Sequence, residues 1–173
     1  MLMKEHRLIE RMLALMNEEL SRIREKGEAD PVFIDTCVDF LRTYADRTHH
    51  GKEEEIYFRD LVSKDMAPER HDMIKELMSE HAYARNMVKV LKAANARYAD
   101  GEADALEDIL SSISELAGFY PAHIAKEDKQ LFLPTQKYFG PEELAAMLAE
   151  FIQFDAEMIH ARYRDVVERY EGQ

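Results

Sequence analysis

His6, His50, His81 and His123 are placed so that the second and fourth each begin a His-x-x-x-Glu pair, His50 with Glu54 and His123 with Glu127. On an α-helix that spacing puts both side chains on one face, a turn apart. Each pair could therefore offer an imidazole and a carboxylate to one metal ion. A single such pair in an acidic chain reads as readily as a solvated helix face. Two pairs in matching surroundings favour the metal.

The surroundings match because the chain repeats itself. Met3-Lys4-Glu5-His6 reappears as Met78-Ser79-Glu80-His81, and His50-Gly51-Lys52-Glu53-Glu54-Glu55 reappears as His123-Ile124-Ala125-Lys126-Glu127-Asp128. Each half reads as a helix carrying Glu-His followed by a helix carrying His-x-x-x-Glu. Two such hairpins face to face would gather four histidines and two carboxylates inside a bundle.

Helix punctuation supports that arrangement. Leu8, Met12, Leu15, Met16, Leu20 and Ile23 recur at helical spacing, and Gly27 is a natural stop, so the first helix is expected from about residue 3 to Lys26. Asp30-Pro31 reads as an N-cap followed by proline in the first turn of a second helix reaching about Val62. A third helix, Glu69 to Ala99, follows Pro68, and Gly101 separates it from a fourth ending near Phe132. Pro121, inside the fourth, removes a backbone hydrogen bond and predicts either a bend that tilts His123 inward or a break. From Pro141 to about Tyr170 an amphipathic fifth helix is expected to pack outside the bundle, with a homodimer contact as a further role. The fold class expected is all-α: an antiparallel four-helix bundle with an additional C-terminal helix, one domain over 1–173 with its core at about 3–135.

Composition bounds the partners. The 173 residues carry a formal charge of −12 and one cysteine. Such a charge argues against nucleic acid or an anionic membrane as principal partner. No stretch has the length of a membrane span, and Lys4, Glu5 and His6 stand where a secretory leader would be apolar, so a cytoplasmic location is expected. Cys37 lies in an apolar run and reads as a small core residue.

With these residues in view, the chain resembles the hemerythrin-like, or HHE cation-binding, domain. The histidine near the N-terminus, the run His49-His50-Gly51-Lys52-Glu53-Glu54-Glu55, the second Glu-His and His123-x-x-Lys126-Glu127-Asp128 before Leu131-Phe132 carry the likeness over residues 3 to 135. The resemblance implies a bundle of hemerythrin type around a non-haem di-iron centre, with His6, His50, Glu54, His81, His123 and Glu127 as ligands. It departs from the oxygen-carrying members where they place a second histidine a turn after the third-helix ligand. Arg85 stands there instead. Asp128, five residues after His123, competes with Glu127 for the carboxylate role; the spacing of four favours Glu127.

Imidazole and carboxylate suit iron, manganese or zinc, and two carboxylate-bridged ions with an oxo or hydroxo bridge favour iron. The expected small ligand is O2, peroxide or NO. Four imidazoles would leave a vacancy on each ion and point to redox turnover or sensing rather than carriage. The alternatives are an iron or oxygen sensor or interaction module without turnover, and an iron–sulfur-cluster repair protein, whose cysteine-bearing extension this chain lacks. His160 is an additional candidate ligand if the last helix folds over the bundle mouth; otherwise it is a histidine on an amphipathic helix. His49, rotated about 100° from His50 on an α-helix, is expected behind the ligands or at the surface. Glu10 reads as solvated and His71 as exposed. Tyr57, Phe58, Leu131 and Phe132 read as packing and as a dry wall round the metals.

Overall fold

The computed structural model describes the backbone of residues 1–171 and the side chains of residues 1–158. Helix α1, Leu2–Lys26, ends on Gly27 at φ 73°, a left-handed conformation that glycine adopts without the Cβ penalty. The chain then turns at Asp30, whose carboxylate accepts from the amides of Val32 and Phe33. Helix α2 runs unbroken over 31–62, starting as an ordinary α-helix at Pro31–Phe40. It widens to π-helical i→i+5 bonding at Leu41–His50 and again at Glu53–Phe58. Helix α3 is Pro68–Ala99. Helix α4 spans 105–135, with a π-helical turn at Glu127–Phe132, and continues through Pro121 without a break. Helix α5, Pro141–Glu171, follows a short 3₁₀ turn.

Short connections make consecutive helices antiparallel neighbours. Helix α4 packs between α1 and α3, α3 against α2, and the π-helical part of α2 against α1, which closes the bundle. Helix α5 lies outside it, along the π-helical stretches of α2. At that seam Gly51 sits beneath Phe154, where an added Cβ would come within 2.7 Å of the ring. The φ of Gly51 is −57°, so space and not backbone freedom requires glycine.

The core is two apolar clusters with a polar layer between them. Ile9, Ala45, Ala84 and Tyr120 belong to one cluster, and Leu2, Ile56, Leu77 and Leu131 to the other. His6, His49, His50, Glu53, His81, His123 and Glu127 separate them on the four helices and are at most 2% exposed. Tyr57, Phe58, Leu131 and Phe132 all lie in the second cluster, and Tyr57 shares a 2.6 Å hydroxyl hydrogen bond with the buried Thr135. Cys37 is buried in the first cluster, and burial pushes its thiol up to about 12, which suits a packing role.

The fold is thus all-α, with the expected bundle and the additional C-terminal helix. Among the described residues no helix is long and apolar enough to cross a membrane. His160 and the far end of α5 lie outside the described side chains.

Candidate metal centre

Two donor groups occupy the polar layer: His50, His81 and His123, and beside them His6, His49, Glu53 and Glu127. Within each group the nearest donor atoms lie within 4.8 Å of one another. The carboxylates join the groups. Glu53 Oε1 is 3.1 Å from His49 Nε2, while its Oε2 is 3.5 Å from His81 Nε2. Glu127 Oε2 is 3.2 Å from His6 Nε2, while its Oε1 is 3.3 Å from His81 Nε2 and 3.4 Å from His123 Nε2. Each carboxylate therefore turns one oxygen to either group.

Behind the rings every Nδ1 meets a carboxylate. His6 pairs with Asp128 at 2.8 Å, His49 with Glu5 at 2.8 Å, His81 with Glu54 at 2.7 Å and His123 with Glu80 at 2.7 Å. His50 pairs more loosely with Asp46, at 3.4 Å. These carboxylates are in turn held by cations. Arg7 binds Asp128, Lys52 binds Glu5, Lys126 binds Glu80, and Arg85 spans Asp46 and Glu54 at 2.6 and 2.7 Å. A carboxylate on Nδ1 fixes the tautomer and directs Nε2 inward, the arrangement by which proteins orient imidazole ligands.

Most of the inward atoms lack partners of their own, the His81 Nε2–Glu127 Oε1 bond at 3.3 Å being an exception. His6, His49 and His123 Nε2, both Glu53 oxygens and Glu127 Oε2 are buried without an aligned hydrogen bond among the described residues. Unpaired buried polar atoms cost about 1–3 kcal/mol each. Six in one layer is a cost that cations seated at the two donor groups would remove. The donor chemistry, imidazole nitrogen with carboxylate oxygen, fits iron, manganese or zinc.

Charge states follow the same geometry. Burial works against the charged form of His49, but Glu53 and Glu5 prevail and raise it to about 10. Burial likewise opposes a charged His81, and its contacts with Glu127 and Glu54 raise it to about 9. Burial, then the neighbouring rings of His81, His49 and His123, drive His50 well below its ordinary value; it stacks on His81 with centroids 3.9 Å apart. Burial acts to raise Glu127, yet the surrounding His6, His81 and His123 rings hold it well below the usual carboxylate range.

Of the residues expected from the sequence, His6, His50, His81, His123 and Glu127 converge, and Glu54 does not. Glu54 faces His81 Nδ1 and Arg85, and Glu53 takes the inward place. His49, expected behind the ligands, stands among them. The cause is the π-helical segment. With i→i+5 bonding each residue turns less about the axis, so His49 and His50 both face inward, their ring centroids 5.8 Å apart. Five imidazoles gather here where four were expected. The signal available in the sequence was the His-His doublet with three consecutive glutamates, which holds a His-x-x-x-Glu pair in two registers. Asp128 lies behind His6, and Glu10 pairs with Arg7 at 3.0 Å. His71 is half-buried.

An all-helical bundle with buried imidazoles and shared carboxylates defines a metal-binding bundle protein. The sequence matches the Hemerythrin HHE cation binding domain over residues 1–134, and the chain belongs to that family. Among curated proteins it is similar to uncharacterized proteins of Mycobacterium tuberculosis and Mycobacterium bovis, each 21% identical over 150 residues, which is 87% of this chain and 58% of theirs. It thus spans little more than half the length of those relatives. No solved structure matches.

Proposed function

We propose that the centre holds two metal ions, iron ahead of manganese or zinc, and binds a small oxidant such as O2, peroxide or NO. The observation that carries this reading is the division of oxygens: Glu53 and Glu127 each address both donor groups. His50, His81 and His123 would hold one ion, His6 and His49 the other, with the two carboxylates between them. Such a pair, when bound, supplies electrons and Lewis acidity to a small ligand.

The chain's own residues make the two sides unequal. With both carboxylates shared, His50, His81 and His123 would give one ion five protein donors, while His6 and His49 would give the other four. For ions that prefer about six ligands, the freer position falls on the side of His6 and His49. Phe132 stacks on His6 with centroids 5.9 Å apart, and Tyr57 meets Phe132 edge-on at 5.1 Å, so this side is walled by aromatic carbon that excludes water. Four histidines would leave a vacancy on each ion and favour turnover. Five favour uptake and retention of the ligand.

A second reading, sensing, has an observation of its own. The fully buried Lys52 Nζ donates to Glu5 at 2.5 Å and to Asp155 of α5 at 2.6 Å, and Glu5 holds His49. This chain of contacts links the two-histidine side to the outer helix, which could report ligand state to a partner.

The test is metal content together with the visible spectrum of protein purified from iron-replete cells, before and after exposure to O2, peroxide and NO. About two irons per chain and spectral changes with one of these ligands support the reading. One zinc per chain, or no metal, would sink it. Reversal on removing the ligand favours binding or sensing, and multiple turnovers favour catalysis.

A further inference from the structure

A cavity of about 280 Å³ opens between α2, α3 and α4, with His50 and its partner Asp46 in the wall. Its wall carries Arg42, Arg47, Arg85 and Lys89, four cations on a chain whose formal charge is −12. The one carboxylate there, Asp46, is already bound by Arg85 at 2.6 Å. Among the described residues Arg42 and Lys89 have no carboxylate partner, and Arg85 Nη1 has no hydrogen bond.

Tyr120 supplies a second, independent sign. It lines the same cavity and is 2% exposed, yet its hydroxyl has no hydrogen-bond partner among the described residues. Unlike the inward atoms of the polar layer, this hydroxyl is not sealed from solvent, so its partner must come from the cavity itself, as water or as a ligand. Here the donor stands at a cavity whose wall holds four cations, the Arg85-bound Asp46 and His50.

We propose that this cavity binds a small anion, an inorganic oxyanion or a short carboxylate, held by Arg42, Arg85 and Lys89 and by the Tyr120 hydroxyl. Guanidinium groups match the paired oxygens of such anions; Arg42 and Lys89 stand exposed at the rim, and Arg85 is half-buried deeper in the wall. At about 280 Å³ the cavity lies at the small end of ligand pockets, which run to about 300–1,000 Å³, and so suits a small anion. The site depends on no bound metal, but its position gives it a bearing on the centre. Arg85 is the cation that holds both Asp46 and Glu54, the carboxylates behind His50 and His81. An anion that draws on Arg85 loosens the support of two imidazoles at once.

Calorimetric titration of the full chain with inorganic phosphate, and separately with nitrite, at constant ionic strength tests the proposal. One saturable site per chain is expected for at least one anion. Affinity should fall about tenfold or more in the Arg42→Gln/Lys89→Gln double variant and several-fold in Tyr120→Phe, with metal content unchanged in the double variant. Absence of saturable binding for both anions overturns it. So does binding that the double variant leaves unchanged, which would place the anion on the metals or elsewhere.

Discussion

Glu53 and Glu54 are adjacent in the chain and opposite in role, so their substitution separates the geometry from the sequence pattern. Glu53→Gln removes one of the two carboxylates shared by the donor groups and is expected to lose most of the bound metal. Glu54→Gln leaves every donor in place, slackens the His81 ring and weakens the hold on Arg85, so metal should remain with affinity lowered about 10–100-fold. Metal analysis after dialysis against a weak chelator checks both; the reverse order would restore the α-helical reading. Protonation offers a second handle at this scale. In the metal-free protein His49 and His81 are raised from 6.5 to about 10 and about 9, so folding favours their charged forms. Their contribution is complete below about pH 6.5 and is lost as pH rises through 9 to 10. His50, lowered, acts oppositely and loses its contribution as pH falls below its ordinary value. Thermal melts of metal-free protein should therefore weaken from neutrality to pH 10, and metal-loaded protein, with neutral imidazoles, should show a flatter alkaline limb.

At the scale of the element, helix boundaries were legible because Gly27, Asp30-Pro31, Pro68 and Gly101 are local signals acting through backbone geometry. The ligand register was not. Whether a helix carries i→i+4 or i→i+5 bonds depends on how its side chains meet three neighbouring helices, and that information is not local. An α-helical wheel drawn through His50 accordingly selected Glu54 and rejected His49. The repeat between the halves still read His6, His81, His123 and Glu127 into the site, because these residues need no π-helical turn before them. Gly51 was visible only as part of a motif; its reason, the Phe154 ring above it, belongs to α5. Gly51→Ala should gain up to about 1 kcal/mol in helix propensity and lose about 1–3 in overpacking. The net is a loss of between about zero and about 3 kcal/mol, so the more specific readout is docking of α5. Faster proteolysis or amide exchange within α5 is expected, with the bundle unaffected.

Over the whole molecule, α5 is joined to the bundle by the Phe154 contact and by the bond from the buried Lys52 to the half-buried Asp155, beside the Arg59–Glu150 pair. Asp155→Asn should leave metal content unchanged while loosening α5, measured again by exchange; simultaneous loss of metal would mean that α5 helps to hold the centre. Leu144, Leu148 and Ile152 are 39%, 47% and 56% exposed along one line of α5, and the proposed homodimer would use this face. Light scattering of wild type and Leu148→Glu checks it, a monomer in both cases ruling it out.

The polar layer between the two apolar clusters also makes the protein two cooperative units in series. Neither cluster touches the other through carbon at the level of the histidines, so without a cation the junction is the weakest plane in the bundle. Hydrogen exchange on metal-free protein should accordingly show two opening free energies, one for each end, and addition of metal should merge them into one. A cation at this plane would act as a rivet, making the two ends unfold together.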